Sequence, residues 1–142
     1  MKEYINRVDS EYIKVTFDLT NHMRPDRIYD SGKFMRCVIA ILGEGIGQLH
    51  VKDVTIKSGL VIHIDEAPMG TGLLDHEAVI KASNDLEPWK TFSLEHFNES
   101  GVNGMLQRER AYKHIRKVAQ KIGHTWTNPK CTREKWEKGE CR

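Results

Sequence analysis

Phe34-Met35-Arg36-Cys37-Val38-Ile39-Ala40-Ile41-Leu42 is the stretch on which the fold turns. Read as a helix, it puts Phe34, Met35, Val38, Ile41 and Leu42 on one face, with Ser31 as N-cap and Gly43 as stop. Read as a strand, it lines up Met35, Cys37, Ile39 and Ile41 on one face. The β-branched cluster favours a buried strand, with Cys37 as a core residue.

On either side the pattern is easier to read. Tyr12 to Leu19 alternates, with Ile13, Val15, Phe17 and Leu19 on one face and Lys14, Thr16 and Asp18 on the other, which is a half-buried strand. Thr20 to Gly32 reads as an irregular loop, carrying the turn-forming runs Arg24-Pro25-Asp26-Arg27 and Asp30-Ser31-Gly32. Gly43-Glu44-Gly45-Ile46-Gly47 is a turn. Leu49 to Ile56 and Leu60 to Asp65 read as a hairpin joined at Lys57-Ser58-Gly59. A helix is expected from Thr71 through Ile80, fraying by Asn84, with a short turn or helix over Ser93 to Phe97.

The strongest periodicity follows Asn103. Met105, Tyr112, Ile115, Ala119 and Ile122 recur at helical spacing, widened by Leu106 and Val118 and bounded by Asn103 and Gly123. That stripe suits packing on a sheet or helix–helix dimerisation. One more short helix is expected over Arg133 to Lys138. Strands therefore come first and helices after. The expected fold class is α+β, a single domain over residues 1–142, with an antiparallel sheet in the N-terminal half and C-terminal helices packed on one of its faces.

Composition narrows the function classes. With 39% hydrophobic and 30% charged residues, the 142-residue chain is globular and long enough to bury a core. The N-terminus lacks the apolar region of a secretory signal, and the longest apolar run, Cys37 to Leu42, is too short to span a bilayer. Three cysteines do not pair evenly, which fits a cytoplasmic protein without disulfides. Net charge is only +2, but residues 101–142 hold 11 Lys+Arg against 4 Asp+Glu, while residues 1–100 hold 11 against 16. A local anionic partner, or complementarity between copies in a homo-oligomer, fits this asymmetry better than a general nucleic-acid coat.

The candidate ligand-binding residues follow from that charge. Arg108, Arg110, Lys113, Arg116 and Lys117 lie off the apolar stripe, and Tyr112 beside them can stack on a base. The competing reading is a solvated helix face. Sequence-specific DNA reading is not expected, because no helix-turn-helix spacing precedes the basic helix. Gly70-Thr71-Gly72, between a strand and a helix, could form an anion-binding backbone nest, but Leu73-Leu74 stands where a nucleotide phosphate loop needs Lys and Ser/Thr.

Metal and catalytic signals are weak. His63, Asp65, Glu66, Asp75, His76 and Glu77 cluster in sequence, yet no i,i+4 histidine pair and no tandem cysteines accompany them. His124, Cys131 and Cys141 lack a fourth ligand. No catalytic residue, metal site or cofactor is assigned on these signals.

The layout, in length, element order and the Arg-bearing helix with Arg108 and Arg110, is similar to that of the phage-encoded Thoeris anti-defence family. That resemblance implies an oligomeric, non-enzymatic sponge for a cyclic ADP-ribose signal, held in pockets between subunits. The leading expectation is capture of a phosphate-bearing small ligand by the basic helix. The alternatives are an inhibitor docking on an acidic protein surface, and a metal-dependent hydrolase using the His63 to Glu77 neighbourhood. Membrane association is not expected.

Overall fold

The structure, a computed structural model, describes residues 1–84, 91–95 and 101–124, with side chains from 103 onward in the last segment. The stretch that reads as a strand is a helix. Helix α2 spans Ser31–Leu42, buries Met35 and Ile39, and half-buries Phe34, Val38 and Leu42 on the same side. Two of the four residues that would have faced inward on a strand point away: Cys37 is exposed and Ile41 is 56% exposed. Long-range packing overrides the local β preference here. Gly43, at φ +41, ends the helix and donates its N–H to the Ile39 carbonyl, a backbone geometry that a side chain would strain.

A helix in that position changes the sheet. The chain begins with α1 (Lys2–Val8) and β1 (Val15–Asp18), crosses over through α2, and returns as β2 (Ile46–Val51). Strand β2 lies parallel to β1, with Phe17 opposite Leu49 and Asp18 opposite His50. A crossover helix between two strands is what parallel pairing requires. Two further strands, β3 (Asp53–Lys57) and β4 (His63–Ala67), form a separate antiparallel hairpin. Helix α3 (His76–Ser83) then leads to β5 (Thr91–Leu94), which lies parallel to β2 on its other side, and α4 (Gly101–Lys121) follows. The main sheet is thus parallel in the order β1-β2-β5. The expected antiparallel pairing is confined to the hairpin, and helices alternate with strands instead of following them.

Several boundaries shift with it. The expected first arm of the hairpin divides at Lys52, with Ile46–Val51 joining the parallel sheet and Asp53–Lys57 the hairpin. Leu60, Val61 and Ile62, expected in the second arm, form the exposed connection between β3 and β4. The helix expected from Thr71 begins at His76, because Asp75 caps it by accepting from the Ala78 N–H at 2.9 Å. The Ser31 hydroxyl accepts from the Asp75 N–H at 2.9 Å, tying the start of α2 to that of α3. Within the expected turn or helix at 93–97, Ser93 and Leu94 belong to β5; its end lies outside the described residues, as do the tail helix, Cys131 and Cys141. The loop after β1 holds two short 3-10 turns, Thr20–His22 and Ile28–Asp30, the second burying Ile28 completely.

The core lies between the sheet and its helices. One cluster joins Phe17 and Leu49 to Met35, Ile39, Val79 and Ala82. A second joins Val51 and Ile80 to Ala111, Ile115 and Ala119 of α4. Each large side chain buried there contributes about 1.5–3 kcal/mol. On α4 the stripe is narrower than its periodicity suggests: Ile115 and Ala119 are buried, while Met105 and Tyr112 stand in solvent. Among the described residues, no helix is long and apolar enough to cross a membrane.

Candidate metal centre

Strand alternation decides what the second face of the sheet carries. Phe17 and Leu49 turn to the helices with Phe92 against them, so Thr16, Asp18, Gln48, His50 and Ser93 turn the other way. The Thr16 hydroxyl donates to Gln48 Oε1 across this face at 3.3 Å. At its carboxyl end, where β1, β2 and β5 stop, four charged or titratable side chains meet. Asp18 closes β1, His50 is the penultimate residue of β2, Lys52 follows β2, and Glu95 follows β5.

Their geometry is tight. The Lys52 ammonium, only 5% exposed, lies 2.9 Å from Asp18 Oδ2 and 2.9 Å from Glu95 Oε2. His50 Nδ1 is 2.6 Å from Glu95 Oε2 and 3.9 Å from Asp18 Oδ2. The other Asp18 oxygen accepts from the backbone N–H and the hydroxyl of Thr20. Burial alone would push the Asp18 carboxyl up, but the hydrogen bonds from Thr20 and Lys52 and the Lys52 charge outweigh it and hold it below the usual range. Burial likewise disfavours the charged Lys52, and its two carboxylate partners reverse that and raise its pKa.

The ligating atoms of Asp18, His50 and Glu95 lie within 4.8 Å of one another, the one such group among the described residues. Two carboxylates and an imidazole are a donor set for divalent cations, and here they converge from three neighbouring strands. The fit is supported by Lys52 itself, since the space between the carboxylates already accommodates a positive charge.

Behind this cluster a polar frame holds the backbone. The Lys52 carbonyl lies 3.0 Å from His76 Nε2, so that nitrogen carries the proton and donates. His76 Nδ1 lies 3.1 Å from His114 Nε2 of α4, and one proton is shared between the two ring nitrogens. Burial, followed by the His76 charge, lowers the His114 pKa. Asp53, 1% exposed, accepts from four backbone N–H groups, those of Val54, Gly70, Gly72 and Leu74.

The residues singled out in the sequence fall elsewhere. Gly70-Thr71-Gly72 does form an anion-receiving turn, but the anion at the Gly70 and Gly72 N–H groups is the Asp53 carboxylate. The Thr71 hydroxyl donates to the Pro68 carbonyl. The His63 to Glu77 neighbourhood does not converge: His63, Asp65 and Glu66 lie on β4, Asp75 caps α3, His76 faces His114, and Glu77 pairs with Lys81 and Lys121 at 2.7 Å each. Arg108, Arg110, Lys113, Arg116 and Lys117 are all exposed on α4. Lys113 pairs with Glu109, and Arg116 donates to the Tyr112 hydroxyl at 2.9 Å with its guanidinium over that ring. Tyr112, Lys113, Arg116, Lys117, Gln120, Gly123 and His124 line an open depression of about 730 Å³.

Asp18, His50, Lys52 and Glu95 were not singled out from the sequence. The signal that finds them is a polar residue at the carboxyl end of each strand, on the face opposite Phe17, Leu49 and Phe92.

Comparison with curated proteins returns no match. The sequence profile of the xylose isomerase-like TIM barrel does match, over residues 1–122. It does not bear on the expected resemblance to the Thoeris anti-defence family. A TIM barrel repeats parallel strand–helix units whose active sites lie at the carboxyl ends of the strands. The sequential order β1-β2-β5, with α2 after β1, α3 after the hairpin that follows β2, and α4 after β5, follows that plan. The chain therefore belongs to the xylose isomerase-like TIM-barrel family.

Proposed function

We propose that Asp18, His50 and Glu95 hold a divalent cation at the carboxyl end of the parallel strands, and that the protein is a metal-dependent enzyme acting on a small, sugar-like substrate. The convergence of their ligating atoms within 4.8 Å carries the reading. The family's name favours a substrate of this class, a molecule bearing hydroxyl and carbonyl oxygens. A bound cation would polarise such an oxygen. Thr20 and the strand ends fix Asp18 before any ligand arrives. The polar face of Thr16, Gln48 and Ser93 offers hydroxyl and amide groups to a substrate lying over the sheet. Lys52 supplies a positive charge beside it.

Calorimetric titration with Mn²⁺ tests the site. Asp18→Asn and Glu95→Gln are each expected to weaken binding at least tenfold, about 1.4 kcal/mol. Equal affinity in the wild type and both variants would place the ion elsewhere and overturn the reading.

The depression on α4 supports a second reading. There Lys113, Arg116, Lys117 and Tyr112 would receive a phosphate-bearing ligand, the arginine fork and the lysines engaging its oxygens and the tyrosine stacking on its base. This is capture without chemistry, and it is independent of the strand-end cluster.

A further inference from the structure

The atoms that would bind the cation are the atoms that Lys52 already holds. Asp18 Oδ2 and Glu95 Oε2 each lie 2.9 Å from the Lys52 ammonium, and His50 Nδ1 approaches the same two oxygens. A small divalent ion such as Zn²⁺ or Mg²⁺ bonded to carboxylate oxygens sits about 2.0–2.2 Å from them. It would therefore occupy nearly the place that the ammonium fills, and two cations cannot share it. Lys52 also has little freedom to be there by accident. Its side chain is 5% exposed, and its backbone is pinned by the His76 hydrogen bond at the corner where the chain leaves β2 for the hairpin.

We infer that Lys52 is a built-in competitor for the metal site: its ammonium occupies the Asp18–Glu95 cleft in the metal-free protein, and a divalent ion binds by displacing it. This deepens the cation-site reading and rests on it. Lys52 then sets the affinity of the site, lowering it for every ion by the cost of moving the ammonium. It also keeps the two carboxylates, which would otherwise repel each other across a half-buried gap, neutralised until an ion arrives. Once displaced, the ammonium remains tethered at the rim of the site, where the remaining oxygens of a sugar-like substrate would lie.

Mn²⁺ calorimetry at a single pH on the wild type, Lys52→Met, Lys52→Gln and the double variant Lys52→Met/Asp18→Asn tests this. Both single variants are expected to bind Mn²⁺ at least tenfold more tightly than the wild type, and the double variant to lose that gain. Detectable binding in the single variants alone supports the inference in its strongest form. If the wild type binds and neither single variant binds more tightly, the competitor idea is overturned while the site stands. If neither the wild type nor the single variants bind, both are overturned. A gain that survives Asp18→Asn puts the ion elsewhere and also overturns it. Gln keeps a donor on a chain one bond shorter, so it reads the effect if Met unfolds the protein. A measurement on the wild type alone closes the remaining gap. The Lys52 ammonium ¹⁵N resonance is expected to move on saturation with Zn²⁺, and an unmoved resonance at saturation would refute displacement.

Discussion

Asp53→Asn isolates the element that frames the metal-site corner. One Asp53 oxygen accepts from the Val54 and Leu74 N–H groups at 2.9 and 3.2 Å, and the other from Gly70 and Gly72 at 2.9 Å each. Asparagine has the same shape, so no cavity forms, but only one of its two terminal atoms can accept. Whichever way the amide turns, its NH₂ faces two backbone N–H groups and leaves them without a partner. Each buried donor left unsatisfied costs about 1–3 kcal/mol. The expected loss is therefore about 2–6 kcal/mol, a large share of the roughly 5–15 kcal/mol of a whole domain. At about 4 °C per kcal/mol for a chain of this size, the melting temperature should fall by roughly 8–24 °C. Urea unfolding followed by far-UV circular dichroism measures the free energy directly, with an unchanged m-value showing that the native fold is retained. A loss below about 1 kcal/mol would refute the reasoning, because four hydrogen bonds to one buried carboxylate could not then be what orders residues 68–74.

Two further outcomes are expected. Burial, and then repulsion from His76, hold the His114 pKa below its ordinary 6.5, with Asp53 opposing and Lys117 adding to the shift. The unfolded chain thus binds the proton more readily, so His114 contributes stability that is full above pH 6.5 and is lost as pH falls through the lowered folded value; melts of wild type and His114→Gln between pH 7.5 and 5 should show a steeper acid loss in the wild type, and parallel curves would reject the assignment. If the α4 depression takes a phosphate-bearing ligand, a nucleotide at a hundred times its Kd should stabilise the fold by about 2.7 kcal/mol; Lys117→Glu should abolish the shift, and a broad nucleotide panel that shifts nothing would discard that reading.

How much of the fold was legible depended on how far each element's partners lie along the chain. Helix α4 reads directly, because its buried face is a local repeat, although Met105 and Tyr112 show that periodicity overstates the width of that face. Strand β1 reads from its alternation. The stretch at 34–42 does not, because Val38, Ile39 and Ile41 carry β preference while the decision rests on α2 packing against the sheet and α3. That one assignment propagates: with a helix between β1 and β2 the strands run parallel, and with a strand there an antiparallel meander follows. The hairpin register was misplaced for a related reason. Lys52 looks like one more outward residue of a long strand, but there the chain leaves the sheet.

The metal-site residues were hidden by a different physics. Asp18, His50 and Lys52 each appear in sequence as the polar half of an alternating strand, which is what solvent exposure also produces. Asp18 and Glu95 are 77 positions apart, and nothing in either neighbourhood announces the other. What joins them is strand order: β2 lies between β1 and β5 in parallel register, so the three carboxyl ends coincide in space. The Gly70-Thr71-Gly72 turn shows the converse. Its local signal for an anion was right in kind, and the anion was Asp53, a residue of the same chain 17 positions before Gly70. A nest filled internally stabilises the corner, and that corner carries Lys52, whose carbonyl is held by His76 and whose ammonium is held by Asp18 and Glu95. The polar groups that looked like an external binding site in sequence therefore act as scaffold. The groups that looked like solvent-facing strand residues make the site, because a parallel sheet collects its strand ends on one edge.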